Sequence, residues 1–212
     1  LVAGAAAAGE PAARLTILYD NSTAREGVQS AWGFACLVEA HGRTVLFDTG
    51  GNPAILKGNL AALAVNAAAI QAVVISHVHG DHTFGAPALA VPRGTPVYTP
   101  HSFAPHREAV AALTSGGMTL VPVTKREVLF EGFAITSPQS FARAAGPAGQ
   151  QPWEQALLVD TPRGLVMVVG CAHPGVVAMV EQAKREAGGP IHMVLGGFHL
   201  MDRTRAEARS VA

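Results

Sequence analysis

Six residues constrain this 212-residue chain more than any others: His77-Val78-His79-Gly80-Asp81-His82. They directly follow Ala72 to Ser76 (AVVIS), a continuous β-branched run that reads as a strand buried on both faces. On an extended segment residues i and i+2 point the same way, so His77 and His79 can grip one cation. Once the chain turns, Asp81 and His82 face a second position nearby. Imidazole nitrogens and a carboxylate are donors suited to Zn, Mn or Fe. The carboxyl end of a buried strand is also where open α/β sheets place their sites. Chance polar residues in a loop would not put four such groups into six positions behind a buried strand.

Composition narrows the classes left. Hydrophobic residues make up 49% of the chain and charged ones 14%, which excludes a disordered, solvated polymer. Fifteen basic and fifteen acidic side chains give a formal net charge of zero, so no nucleic acid or anionic membrane is expected as partner. Two cysteines cannot make a disulfide framework. No apolar stretch approaches the roughly 18 residues that span a bilayer. The expectation is a single domain over residues 14–212 with a small-molecule substrate, its oligomeric state open. Residues 1–13 read as a disordered or signal-derived segment. Leu1 to Pro11 (LVAGAAAAGEP) resembles the apolar tail of a secretory signal without its basic start. That leans towards a periplasmic or secreted location, with the cytoplasm as the alternative.

Strand-like runs cover Arg14 to Tyr19, Gly33 to Glu39, Thr44 to Phe47, Thr95 to Thr99, Met118 to Val123, Ala156 to Asp160, Leu165 to Val169 and Ile191 to Leu195. Arg126 to Thr136 reads as a strand pair or one bent strand. Asn52 and Pro53 are a cap and first position for a helix ending near Asn66. A second helix is expected over Ser102 to Thr114. A third is opened by Pro174, with Val176, Val177, Val180 and Ala183 on one face and Gly188-Gly189 closing it. Ser137 to Pro152, rich in Pro, Gly, Ala and Gln, reads as a surface loop and candidate lid, with Trp153 as an aromatic wall or a core residue. Sheets covered by helices on their outer faces predict an α/β, four-layer αββα sandwich.

Two more histidines, His173 and His199, follow predicted strands and are candidates to close the coordination begun by the first cluster. His101, at another strand end, is a candidate lining residue of a substrate pocket. His41, in a turn, and His106, on a helix, read as surface residues, and His192 as structural. Asp48, ending its strand beside the site, is a candidate partner to a ligating histidine or a loop cap. Gly50-Gly51 ahead of Pro53 offers a weak phosphate cradle.

Taken together, His77 to His82 after AVVIS resembles the metallo-β-lactamase superfamily, with its HxHxDH motif after a buried strand. Leu46-Phe47-Asp48-Thr49-Gly50, Gly170-Cys171-Ala172-His173-Pro174-Gly175 and Gly196-Gly197-Phe198-His199-Leu200 narrow the resemblance. They are similar to the 7,8-dihydropterin-6-methyl-4-(β-D-ribofuranosyl)-aminobenzene-5′-phosphate synthase-like branch. Asp20-Asn21 and Trp32-Gly33-Phe34 match its N-terminal pattern, so the likeness spans residues 15 to 200. Two departures stand out. Thr83-Phe84-Gly85 replaces the usual Gly-Gly pair, and the chain stops at Ala212, where members commonly continue.

The resemblance implies two divalent metal ions, Zn first and Mn or Fe as alternatives. His77, His79 and His173 would serve the first site and Asp81, His82 and His199 the second. It implies a dinuclear hydrolase using a metal-bound hydroxide on an ester, lactone, phosphoester or related bond, with Asp81 orienting it as the catalytic group. Two alternatives stand beside it. One is the synthase-type transferase of the branch's name, and the other a non-catalytic metal-binding homologue. Many superfamily members carry a bridging aspartate where Cys171 stands. A thiolate ligand and a buried structural thiol are both open there, and the expectation favours the structural role with His173 as ligand.

Overall fold

Alternation along the apolar strands sorts their side chains onto two faces, and that sorting builds the layers. The computed structural model describes residues 13–23, 25–141, 152–200 and 204–209. The first sheet contains β1 (Ala13–Tyr19), β2 (Ala35–Ala40), β3 (Arg43–Phe47), β4 (Ala72–Val74), β5 (Pro96–Pro100) and β6 (Thr119–Val123), in that spatial order. β1 to β3 pair antiparallel, and β3 to β6 run parallel. Next along the chain come β7 (Glu127–Phe130), β8 (Phe133–Ile135), β9 (Gln139–Ser140), β10 (Trp153–Glu154), β11 (Leu157–Val159), β12 (Leu165–Val169) and β13 (Ile191–Gly196). β9 and β10 form a two-residue ribbon, and the others form a second sheet in the order β13-β12-β11-β8-β7. The helices are α1 (Pro53–Ala62), α2 (Gly80–Thr83), α3 (Arg107–Ser115), α4 (Val176–Ala187) and α5 (Arg205–Arg209).

Leu37, Leu46, Val73 and Ile75 point to the outer face of the first sheet and pack with Leu56 and Leu60 of α1 and Leu113 of α3. Their chain neighbours Cys36, Val38, Val45, Phe47 and Val74 point the other way, meeting Phe133, Ile135, Leu157 and Val168 between the sheets. In the second sheet Leu158, Met167 and Val169 turn outward onto Met179 and Ala183 of α4. Three apolar layers between four layers of structure make the αββα sandwich that the element order predicts.

Local differences from the expected elements have physical causes. α3 begins at Arg107 rather than Ser102, after a 3-10 turn over His101–Phe103. Pro105 has no N–H to continue a helical ladder, so a continuous helix from Ser102 is interrupted there. α4 starts at Val176, because Gly175 at φ +101° separates it from Pro174. Val177 is half exposed and lies off the packed face, which Met179 completes instead. Gly188, left-handed at φ +71°, closes α4 as expected. The stretch read as a surface loop starts differently: Gln139–Ser140 pair with Trp153–Glu154, and Phe141 is buried. Residues 142–151, the core of the lid expectation, lie outside the described residues, as do residues 1–12. Among the described residues no helix is long and apolar enough to cross a membrane.

Candidate metal centre

The carboxyl ends of β3, β4, β12 and β13 meet at one edge, and the two sheets contribute opposite halves of the site. His77, His79, Asp81 and His82 follow β4 of the first sheet, His79 at the N-cap of α2 and the last two on it. Cys171 and His173 follow β12, and His199 follows β13, in the second. Gly170 lets the halves close, because a Cβ there would collide with the Ser76 hydroxyl.

Three imidazoles are held through Nδ1, and the hydrogen-bond network assigns each the Nδ1–H tautomer. His82 Nδ1–H donates to Asp48 Oδ2 at 2.7 Å. His77 Nδ1–H donates to Ser76 Oγ at 2.9 Å, and that hydroxyl donates onward to Asp48 at 2.7 Å. His173 Nδ1–H donates to Glu154 Oε2 at 2.9 Å. Each ring therefore turns its Nε2 away from that partner, as ligating histidines do when a second group fixes the ring. His77 Nε2 faces His79 Nδ1 at 3.0 Å. The donor atoms of His77, His79 and His173 lie within 4.8 Å of one another, and so do those of His77, His82 and Cys171. Two nitrogen- and sulfur-rich groups that share His77 are a donor set that fits divalent metal.

The electrostatics divide the donors: they favour neutral rings at His77 and His79, while His82 and Cys171 must release a proton to bind metal. Burial, reinforced by His82, His173 and His79, keeps the His77 ring well below its ordinary pKa, so it is a neutral donor at pH 7. Burial likewise lowers His79. For His82 burial works against the charged form, but the Asp48 carboxylate overrides it and holds the ring well above its ordinary value. Burial would raise Asp81, yet its hydrogen bond to His82 brings it below the usual carboxylate range. Burial raises the Cys171 thiol despite its bond to His82.

The structure gathers most of the residues singled out in the sequence. Asp81 Oδ2 is 3.4 Å from His82 Nε2, while the His199 ring lies 4.8 Å from that of His173, so His199 sits beside the first group. Cys171 Sγ is 3.2 Å from His82 Nε2, while its backbone N–H is held by Glu154 in the turn. His101 is exposed, and its ring packs on Trp153 at 4.7 Å. The phosphate cradle is filled from within. Asn52 Oδ1 accepts the Ala54 and Ile55 N–H groups, and Gly50 N donates to Phe34 O. Pro53 adds no N–H, so the first turn of α1 is capped by its own chain.

Three contributors escaped the sequence reading. Glu154 is fully buried and accepts the backbone N–H groups of Cys171, Ala172 and His173, a nest that seats the carboxylate holding His173. Its only sequence signal is a lone acid at the mouth of an apolar strand. Ser76 links His77 to Asp48 and gives no signal beyond adjacency. Phe141 stacks flat on His173, 4.3 Å between centroids, and stands 6.0 Å from both His77 and His79. Backbone strain gathers here too, since Asp48, Ala172 and His199 adopt left-handed conformations at φ +57°, +53° and +47°.

Comparison with known proteins follows the geometry. A family model described as the metallo-beta-lactamase superfamily matches residues 33–185, spanning both halves of the site up to His173. A Methanocaldococcus jannaschii protein named 7,8-dihydropterin-6-methyl-4-(beta-D-ribofuranosyl)-aminobenzene-5′-phosphate synthase is 26% identical over 211 aligned residues, covering 82% of this chain and 72% of that protein. A solved structure described as a metal-dependent hydrolase of the beta-lactamase superfamily shares 25% identity at a TM-score of 0.73, covering 94% of this chain and 81% of that one. A quorum-quenching N-acyl homoserine lactone lactonase, 14% identical with a TM-score of 0.55 over 81% of this chain and 82% of its own, shares the fold.

Proposed function

This chain belongs to the metallo-β-lactamase superfamily, and from that premise we propose that it is a metal-dependent hydrolase of an ester, lactone, phosphoester or related bond. The observation that carries the reading is the pair of donor groups that share His77, with His77, His82 and His173 each fixed at Nδ1 by a buried partner. In this reading His77, His79 and His173 hold one divalent ion. His82, Asp81 and Cys171 hold a second, with His199 at the rim beside His173. Zn suits these donors first, and Mn and Fe also fit. Held by these residues, divalent ions would supply an acidified water, its pKa lowered towards ~7, and polarisation of a carbonyl or phosphoryl oxygen.

The chain's own groups do the rest. Asp48 and Glu154 lock the tautomers of His82 and His173, so that both rings meet the reaction as preset donors. Asp81, partly exposed and next to His82, is the carboxylate placed to orient the attacking water and take its proton. Phe141 stacks on His173 and stands beside His77 and His79, covering the His173 face of the group while His79 stays exposed to solvent.

Elemental analysis of the purified protein is expected to find about two divalent metals per chain. Hydrolysis within a panel of esters, lactones and phosphodiesters should disappear with chelator and return with Zn. Fewer than about one metal per chain would favour a non-catalytic homologue, and chelator-insensitive hydrolysis would sink the mechanism. The synthase-type transferase is a second reading, favoured by the match to the M. jannaschii protein. The filled N-terminus of α1 weighs against it, and product formation from the pterin and ribosyl-aminobenzene phosphate pair would establish it.

A further inference from the structure

A pocket of about 170 Å³ opens beside His82 and Cys171, walled by Ile17, Trp32, Phe34 and Leu195. Its lining is mostly apolar, and among the described residues that form it there is no Lys or Arg. Its charged side chains outside the histidine–thiol group are the carboxylates Asp20 and Asp81. A phosphate or carboxylate entering here would shed its water against apolar walls and the Asp20 and Asp81 carboxylates, with His82 the one cationic side chain on the lining. An uncharged group loses nothing comparable. Size sets a second limit, because a cavity of about 150 Å³ accommodates one benzene ring. Trp32 adds a flat face at the mouth, 61% exposed although it is a large aromatic residue.

The wall is held in place. Asn21 Oδ1 accepts Gly33 N at 3.0 Å, Ala31 N donates to Asp20 O at 3.1 Å, and Asn59 ties Gln29 and Leu18 to α1. Gly33, at φ +136°, comes so near Asp81 that a Cβ would strike its carbonyl, which brings this wall directly against the donors.

We propose that this pocket receives one uncharged ring of the substrate, that of an aryl ester or a lactone, stacked on Trp32. The proposal rests on the hydrolase reading for its chemistry, but ring binding can be measured apart from turnover. The experiment uses the Zn-loaded full chain, titrated by ligand-observed NMR with 4-nitrobenzyl alcohol. In parallel, hydrolysis of 4-nitrophenyl acetate, δ-valerolactone and bis(4-nitrophenyl) phosphate is followed. The alcohol should bind saturably. Trp32→Ala should weaken that binding, and raise the KM for the neutral ester, roughly three- to tenfold with kcat little changed, and Trp32→Phe should restore both. Unchanged affinity for the alcohol in Trp32→Ala would overturn the pocket assignment. Turnover of the phosphodiester alone would overturn it while leaving the hydrolase standing. If no substrate is turned over, the hydrolase reading fails, and the alcohol titration still decides the pocket.

Discussion

Two buried carboxylates shape the site residue by residue, one just after β3 of the first sheet and one on the β9–β10 ribbon. Asp48 holds His82 and the Ser76 hydroxyl, while Glu154 fills a backbone nest and holds His173. Removing such a partner typically costs 10–100-fold in metal affinity. Asp48→Asn and Glu154→Gln are each expected to lose about that much Zn affinity in competition with a chromophoric chelator. Glu181→Ala, which breaks an exposed pair with Lys184, should leave it unchanged. Native affinity in both carboxylate variants would mean that the rings need no second partner. Phe141 makes a separate prediction. Phe141→Leu keeps an apolar side chain but removes the flat cover over His173, so chelator should strip the metal faster while the folded content by circular dichroism stays unchanged.

Among the elements, α4 shows how a helical stripe misleads when read one residue out of phase. Val176, Val180 and Ala183 keep a helical spacing and pack onto the second sheet, but Val177 is turned about 100° from Val176 and faces solvent. Met179 occupies the buried place. Met179→Ala should therefore cost about 2–5 kcal/mol in urea denaturation, and Val177→Ala under about 0.5 kcal/mol. Equal costs would contradict this packing. The ribbon of β9 and β10 has a comparable lesson. Two residues of pairing suffice to bring Phe141 and Glu154 to the site from a stretch with no apolar periodicity.

At the scale of the whole molecule, the proposed metals join the two sheets, since His77, His79 and His82 stand on one and Cys171 and His173 on the other. A ligand that binds only the folded chain stabilises it by about 2.7 kcal/mol at 100 times its Kd. For a chain of this length that corresponds to a rise in Tm of roughly 5–10 °C. Calorimetry with and without Zn is expected to show it, and matching Tm values would argue against a bridging metal. The sequence alone determined the layers, because β-branched runs with period-2 alternation can bury both faces only between covering layers. It also determined the His77 to His82 cluster, whose spacing is local, and the closure of α4 at Gly188. Tertiary structure alone decided which groups complete the site. Cys171 meets His82 across 89 positions, Asp48 meets His82 across 34, and Glu154 meets His173 across 19. Those pairings depend on how two sheets stack and where their strands end, and no residue pattern within a single segment encodes that distance.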